Sequence, residues 1–164
     1  MNDCKFWGYV MATESENYDI LSLVKHFNEI RPFNKLLGLT IDSMDIENAC
    51  VRFAMKEDLS GNSVYDTLHG GVVSAILDIT GGFVVFLDLF KRVKPPLTEK
   101  QLEQFTRIAT IDMRVDYLRP GIGKDFVASG YILRTGKKVA VVRTELHNEE
   151  KRLLAVGTST YIVG

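Results

Sequence analysis

The run Leu68-His69-Gly70-Gly71-Val72-Val73-Ser74-Ala75-Ile76-Leu77-Asp78 brings together residue types suited to attack on an acyl carbonyl. A His-Gly-Gly segment opens a largely apolar stretch that reaches Phe90, and Asp78 stands nine positions after the histidine, where an apolar side chain is expected. Such a stretch predicts a helix that begins near the glycines. The first N–H groups of a helix lack intrahelical partners and its dipole is positive there, so this end can hold an oxygen that gains negative charge. Gly70 and Gly71 carry no Cβ and let a ligand approach the backbone. A carboxylate can activate a water molecule or attack the carbonyl itself. Asp78 is the candidate for either role, and His69 is a further candidate, as a donor to the carbonyl or as a group that orients the preceding loop.

This arrangement resembles the acyl-CoA thioesterases of the hotdog fold, in the branch related to phenylacetic-acid-pathway thioesterases. That branch has His-Gly-Gly at the start of a central helix and an acid nine positions after the histidine, matched here by His69, Gly70, Gly71 and Asp78. Thr110-Ile111-Asp112-Met113, followed by Tyr117-Leu118-Arg119-Pro120, is similar to the family's next strand, where a Ser or Thr assists the catalytic water. The resemblance covers Leu36 to Val163. It implies an acyl-CoA hydrolase with the Gly70 N–H as oxyanion donor and Thr110 beside the attacking water; medium- or long-chain aliphatic acyl groups are preferred to aromatic ones because no paired polar residues are dedicated to a ring hydroxyl. It implies no metal and no cofactor, coenzyme A being part of the substrate. It also implies a homodimer, or a homotetramer, in which the helix end and Asp78 of each site come from different subunits.

Within the same resemblance, Arg119, Lys137 and Lys138 lie at strand ends where the family meets the CoA phosphates, and Phe83 and Phe86 are candidates to line the acyl channel. Two positions depart from the pattern. The usual Asn or Gln six residues before the histidine is Ser63 here, with Asn62 seven before, and the usual glycine three before it is Asp66. Asn62 is the better replacement because its amide is the better donor for a carbonyl. Two other readings stay open: a hotdog module that binds acyl-CoA without turning it over, and a hotdog hydratase or dehydratase.

These residues must be positioned by the rest of the chain. With 164 residues, 46% of them hydrophobic, the chain fits a single domain with a sizeable core, residues 1–37 forming a helical extension. The formal charge of −1, with acids and bases intermixed, gives no footprint for nucleic acid. Cys4 and Cys50 show no metal-ligand spacing and read as free thiols, and the N-terminus lacks the pattern of a secretory signal. Both point to the cytoplasm. Gly71 to Phe90 is twenty residues long and apolar enough to cross a bilayer. Asp78 near its middle would cost about 2.5–3.5 kcal/mol there, and Asp88 and the Gly81-Gly82 pair also oppose insertion. A helix buried in protein is the better reading.

Thr13-Glu14-Ser15-Glu16 has capping-box spacing, followed by Ile20, Leu21, Leu23, Val24, Phe27 and Ile30 at helical period, with His26 beside the stripe and given no role. Phe33 to Leu37 reads as a short helical turn ended by Gly38, and Thr40 to Ile46 and Ala49 to Met55 as a hairpin around Glu47-Asn48. Lys56 to Leu68 reads as a loop. Pro95-Pro96 stops the central helix, and Thr98 caps a short helix containing Leu102 and Phe105. Ile108 to Leu118 alternates, with Ile111, Met113, Val115 and Tyr117 on one face and Thr110, Asp112, Arg114 and Asp116 on the other. Phe126 to Arg134, Val139 to Asn148 and Leu153 to Val163 are three more strands, joined by short links that imply antiparallel neighbours. The expected architecture is α+β: an antiparallel sheet of five to six strands wrapped around the long central helix.

Overall fold

The structure, a computed structural model, describes residues 31–41, 49–62, 64–94 and 97–164. The capping box at Thr13–Glu16, the apolar stripe from Ile20 to Ile30, His26, Cys4 and the hairpin turn at Glu47-Asn48 lie outside the described residues, as does most of the strand expected from Thr40 to Ile46. Helix α1 (Pro32–Leu37) starts with a proline where the missing N–H does no harm and ends at Gly38, whose φ of 71° closes a left-handed cap onto the carbonyls of Asn34 and Lys35. It delivers Leu37 to the core. Thr40 forms an isolated bridge to Arg52 in β1 (Cys50–Ala54).

The segment expected as a plain loop carries more structure. A 3₁₀ turn (Glu57–Leu59) leads into a two-stranded ribbon of β2 (Ser60–Asn62) and β3 (Thr67–Leu68). Asn62 starts the turn between them, its Oδ1 accepting from the Val64 N–H at 3.0 Å. Asp66, at the position where the family has glycine, has a φ of 47°. The chain needs the left-handed region here, and aspartate is one of the few residues other than glycine that visits it readily. That departure therefore keeps the backbone geometry a glycine would supply.

Helix α2 (Gly70–Lys91) is the long apolar element, and α3 (Glu99–Thr106) follows it with Thr98 and Gln101 exchanging capping-box bonds. The strands β4 (Ala109–Tyr117), β5 (Asp125–Thr135), β6 (Val139–Asn148) and β7 (Leu153–Ile162) join β1 in one antiparallel sheet of order β1-β5-β6-β7-β4. The sheet packs over α2. The first half of α2 buries Val73, Ile76 and Leu77 against Val51, Phe53, Phe126 and Leu146. Its second half buries Val84, Val85 and Leu87 with Phe105, Val142, Tyr161 and Val163. Burial on this scale explains how a helix apolar nearly all round is held inside protein.

Two details of packing set up the site. β4 does not alternate strictly: Thr110 pairs with Tyr161 and Asp112 with Thr160, so Ile111 is an extra residue, a β-bulge. The bulge reverses the face of everything before it. Thr110 therefore points at α2 together with Met113 and Val115, not outward with Asp112 and Arg114 as alternation alone predicts, and Ile111 is 57% exposed. The second detail is Gly81, where an added Cβ would overlap the Tyr161 hydroxyl and lie 2.8 Å from its Cζ. Gly81→Ala gains about 0.5–1 kcal/mol of helix propensity but forces a buried ring off its seat, which costs about 1–3 kcal/mol. The loss wins, and the thermal midpoint falls by about 2–8 °C, readable in a melting curve.

Candidate active site

The tip of α2 is built from three residues. His69 is the N-cap, with φ −63° and ψ 136°, and its Nδ1 accepts from the Gly71 N–H at 2.9 Å. This bond fixes the neutral tautomer with the proton on Nε2, so the ring caps the helix and still presents a donor. The His69 carbonyl takes the N–H groups of Val72 and Val73 at 2.9 and 3.1 Å. Among the described residues the Gly70 N–H has no partner, and it is exposed at the positive end of the helix. The Tyr117 hydroxyl donates to the Gly70 carbonyl at 3.1 Å and ties the tip to the end of β4. The ribbon sits against this tip, since a Cβ on Gly61 would come within 2.6 Å of His69 Cα. Asn62, next in sequence, keeps its amide N–H groups while its Oδ1 shapes the turn. Ser63 lies outside the described residues.

Two turns further along α2, Asp78 forms a second cluster. Its Oδ1 accepts from Thr110 Oγ1 at 2.7 Å, and the Tyr161 hydroxyl lies 3.3 Å from the same oxygen while donating to the Asp78 carbonyl at 2.8 Å. Among the described residues Oδ2 takes no donor. Burial, reinforced by the neighbouring Asp78 charge, pushes the Tyr161 phenol well above its ordinary range, so it remains a donor throughout neutral pH. Asp78 opens on a cavity of about 120 Å³ of mixed polarity, whose wall includes Arg31, Thr110 and Tyr161 beside Ile79, Gly82, Phe86 and Ile108. Phe86 faces this cavity, whereas Phe83 is partly buried against both halves of the core. A carboxylate held by a hydroxyl beside such a cavity can position and deprotonate a water, or attack a carbonyl directly.

Thr110 thus donates to Asp78, and its hydroxyl orients that carboxylate. Thr110→Val keeps the shape and removes the donor to a charged acceptor, a bond worth about 1.5–3 kcal/mol, so turnover falls about ten- to a hundredfold. Thr110→Ser restores most of it. Steady-state kinetics of the two variants checks this.

The tip and Asp78 are separate within one chain. Asp78 stands eight positions after Gly70 on α2, about 12 Å along the axis. The basic residues are divided as well. Arg119 donates to the Leu153 carbonyl at 2.7 Å near the tip, whereas Lys137 and Lys138 follow Thr135, whose hydroxyl donates to Asp88 at 2.8 Å near the other end of α2. One chain does not gather the three. Tyr161, Tyr117 and Gly81 were not visible as site residues in the sequence; a tyrosine on the inward row of the last strand was the available signal for Tyr161. Among the described residues, no group of three or more His, Cys, Asp or Glu could hold a metal ion.

Comparison with known proteins gives the family and the fold. Residues 65–155 match the family model described as the thioesterase superfamily. The chain is 41% identical over 133 residues to the medium/long-chain acyl-CoA thioesterase YigI of Escherichia coli (strain K12), covering 81% of this chain and 86% of that protein. A crystal structure from Shewanella oneidensis, described as related to the thioesterase superfamily, superposes with a TM-score of 0.79 at 42% identity, over 90% of this chain and all of that one. The Escherichia coli PaaI protein of the phenylacetic acid degradation operon shares the fold, with a TM-score of 0.66 at 19% identity over 86% of this chain and 90% of that one.

Proposed function

Because the chain belongs to the thioesterase superfamily, we propose that it hydrolyses acyl-CoA thioesters of medium and long aliphatic chains, with Asp78 and the Gly70 N–H as its reacting pair. The observation that carries this reading is the pair itself: a carboxylate oriented by Thr110 at the edge of a cavity, and a helix-tip N–H without a partner among the described residues. The thioester carbonyl oxygen sits on the Gly70 N–H, which takes up the negative charge of the tetrahedral intermediate. Asp78 draws a proton from water as it attacks the carbonyl carbon, or adds to that carbon itself; either way the C–S bond breaks and the CoA thiolate leaves. In this reading His69 Nε2 and the Asn62 amide donate to the carbonyl from the tip side. No metal or cofactor is required for these steps.

The smallest active unit in this reading is a homodimer. A single carbonyl cannot touch an N–H and a carboxylate about 12 Å apart along one helix, so the tip of one protomer must face the Asp78 of its partner. Support comes from β4, an edge strand that leaves Ile111 and Tyr117 more than half exposed. An open apolar edge of this kind calls for cover. Arg119, on the tip side, is assigned to the CoA phosphates; Lys137 and Lys138 reach the same nucleotide only across a subunit boundary. The cytoplasm, where acyl-CoA is met, is the proposed compartment.

A thiol-release assay over an acyl-CoA panel tests the proposal. Release of CoA that rises with acyl length supports it. No release from any thioester, with binding retained, would replace it by a binding module, and enoyl/hydroxyacyl interconversion by a hydratase.

A further inference from the structure

Gly81 and Gly82 are adjacent in the middle of α2, where glycine weakens a helix relative to alanine. Packing accounts for the first of them, since Tyr161 occupies the space that a Cβ on Gly81 would need. Packing among the described residues does not account for the second. Among the described residues a Cβ on Gly82 would meet one atom within 4 Å, Tyr161 Cε1 at 3.8 Å, which is an ordinary contact. No unusual backbone conformation demands glycine there, because the position is regular helix. What Gly82 does border is the cavity of about 120 Å³ that opens beside Asp78, with Arg31, Thr110 and Tyr161 at its polar side and Ile79, Phe86 and Ile108 at its apolar side.

The spacing says what that border controls. Asp78, Gly82 and Phe86 follow one another at intervals of four residues, so they stack along one face of α2. Each step is about 6 Å along the axis. Asp78 is the polar end of this row, Phe86 the apolar far wall, and Gly82 the floor between them. An acyl chain whose carbonyl lies at Asp78 passes Gly82 after its first few methylenes. The cavity is narrow enough that one added methyl group takes up a meaningful part of it.

We propose that Gly82 is a specificity-determining residue, whose missing side chain leaves the passage through which the acyl chain runs past Asp78 toward Phe86. The inference rests on the acyl-CoA hydrolase reading and adds to it the residue that sets acyl length. It explains why a helix weakened at one glycine by the need to seat Tyr161 carries a second that packing among the described residues does not require.

The test compares the parent protein with Gly82→Ala and Gly82→Leu over a panel from butanoyl- to palmitoyl-CoA, with thermal midpoints and solution mass measured for each. Both substitutions favour helix, so Gly82→Ala melts about 2–4 °C above the parent. In Gly82→Leu the loss in kcat/KM on palmitoyl-CoA exceeds the loss on hexanoyl-CoA by at least about tenfold, the scale of a few misplaced methylenes in an apolar pocket. Gly82→Ala shifts the profile the same way by less, and stands alone if the leucine variant does not fold. Losses equal at every acyl length, an unshifted profile, or losses that track a change in solution mass would each overturn the inference while an active parent keeps the hydrolase reading. A parent inactive on the whole panel would remove that reading and the inference together.

Discussion

Asp78→Asn is expected to reduce turnover of acyl-CoA by at least about 10²-fold while the protein stays folded, in line with the loss of an acid–base group. The two side chains have the same shape, and the asparagine oxygen can still accept from Thr110 Oγ1, which lies 2.7 Å from Asp78 Oδ1. Tyr161 is held through the main-chain carbonyl of residue 78 at 2.8 Å, and the substitution leaves that group in place. What disappears is the charge, and with it the ability to take a proton from water or to form an acyl intermediate. Both hydrogen-bonded contacts at residue 78 survive the change, so the thermal midpoint is expected to stay within about 2–4 °C of the parent. Steady-state kinetics with a melting curve separates the two effects. Parental turnover in this variant would take Asp78 out of the chemistry.

Gly70→Pro is expected to reduce kcat by about 10²- to 10³-fold, the scale for removing one donor to a developing oxyanion. Proline is normally a blunt substitution in a helix, but here the geometry suits it. Gly70 is the first helical position, where proline's fixed φ is favoured and its missing N–H belongs to no intrahelical bond. His69 already sits at φ −63° and ψ 136°, in the region that a residue before proline must occupy. The nearest atoms a Cβ at position 70 would meet among the described residues are those of Tyr117, at 3.6 to 3.9 Å, which is ordinary contact. The substitution therefore deletes the N–H and spares the helix. Gly70→Ala, which keeps the N–H, should lose far less. Equal losses in the two variants would point to crowding at the tip and away from an oxyanion contact.

Much of this arrangement was legible in the sequence because it takes the form of anomalies. One carboxylate midway through an apolar helix that opens on two glycines serves neither helix propensity nor core packing, and so points to chemistry. The turns at Gly121 and Gly136 mark the strands plainly. The orientation of Thr110 was not legible. Alternation from Ile108 to Leu118 puts it on the outer face, and only the bulge at Ile111, which depends on the register against β7, turns it inward. Tyr161 was hidden for a related reason, since its contact with Asp78 joins residues 83 positions apart and exists only once β7 lies across α2. Asp66 in place of glycine looked like a defect in the loop, and its φ of 47° shows that the conformation survives the change. The lysines at 137 and 138 were recognisable as strand-end residues, but local pattern does not say which end of the sheet a turn occupies. Gly81 and Gly82 look alike in sequence, and only the position of one tyrosine ring tells them apart.

The composite site has a direct test in mixing subunits. Asp78→Asn and Gly70→Pro proteins, each nearly inactive alone, are combined in equal amounts and allowed to exchange. If the tip of one protomer works with the carboxylate of the other, each mixed dimer regains one intact site, and activity returns to about one quarter of the parental rate. If both groups served the same active centre from one chain, every centre in the mixture would remain broken. Confirmed subunit exchange with no recovery of thiol release would contradict the proposed site.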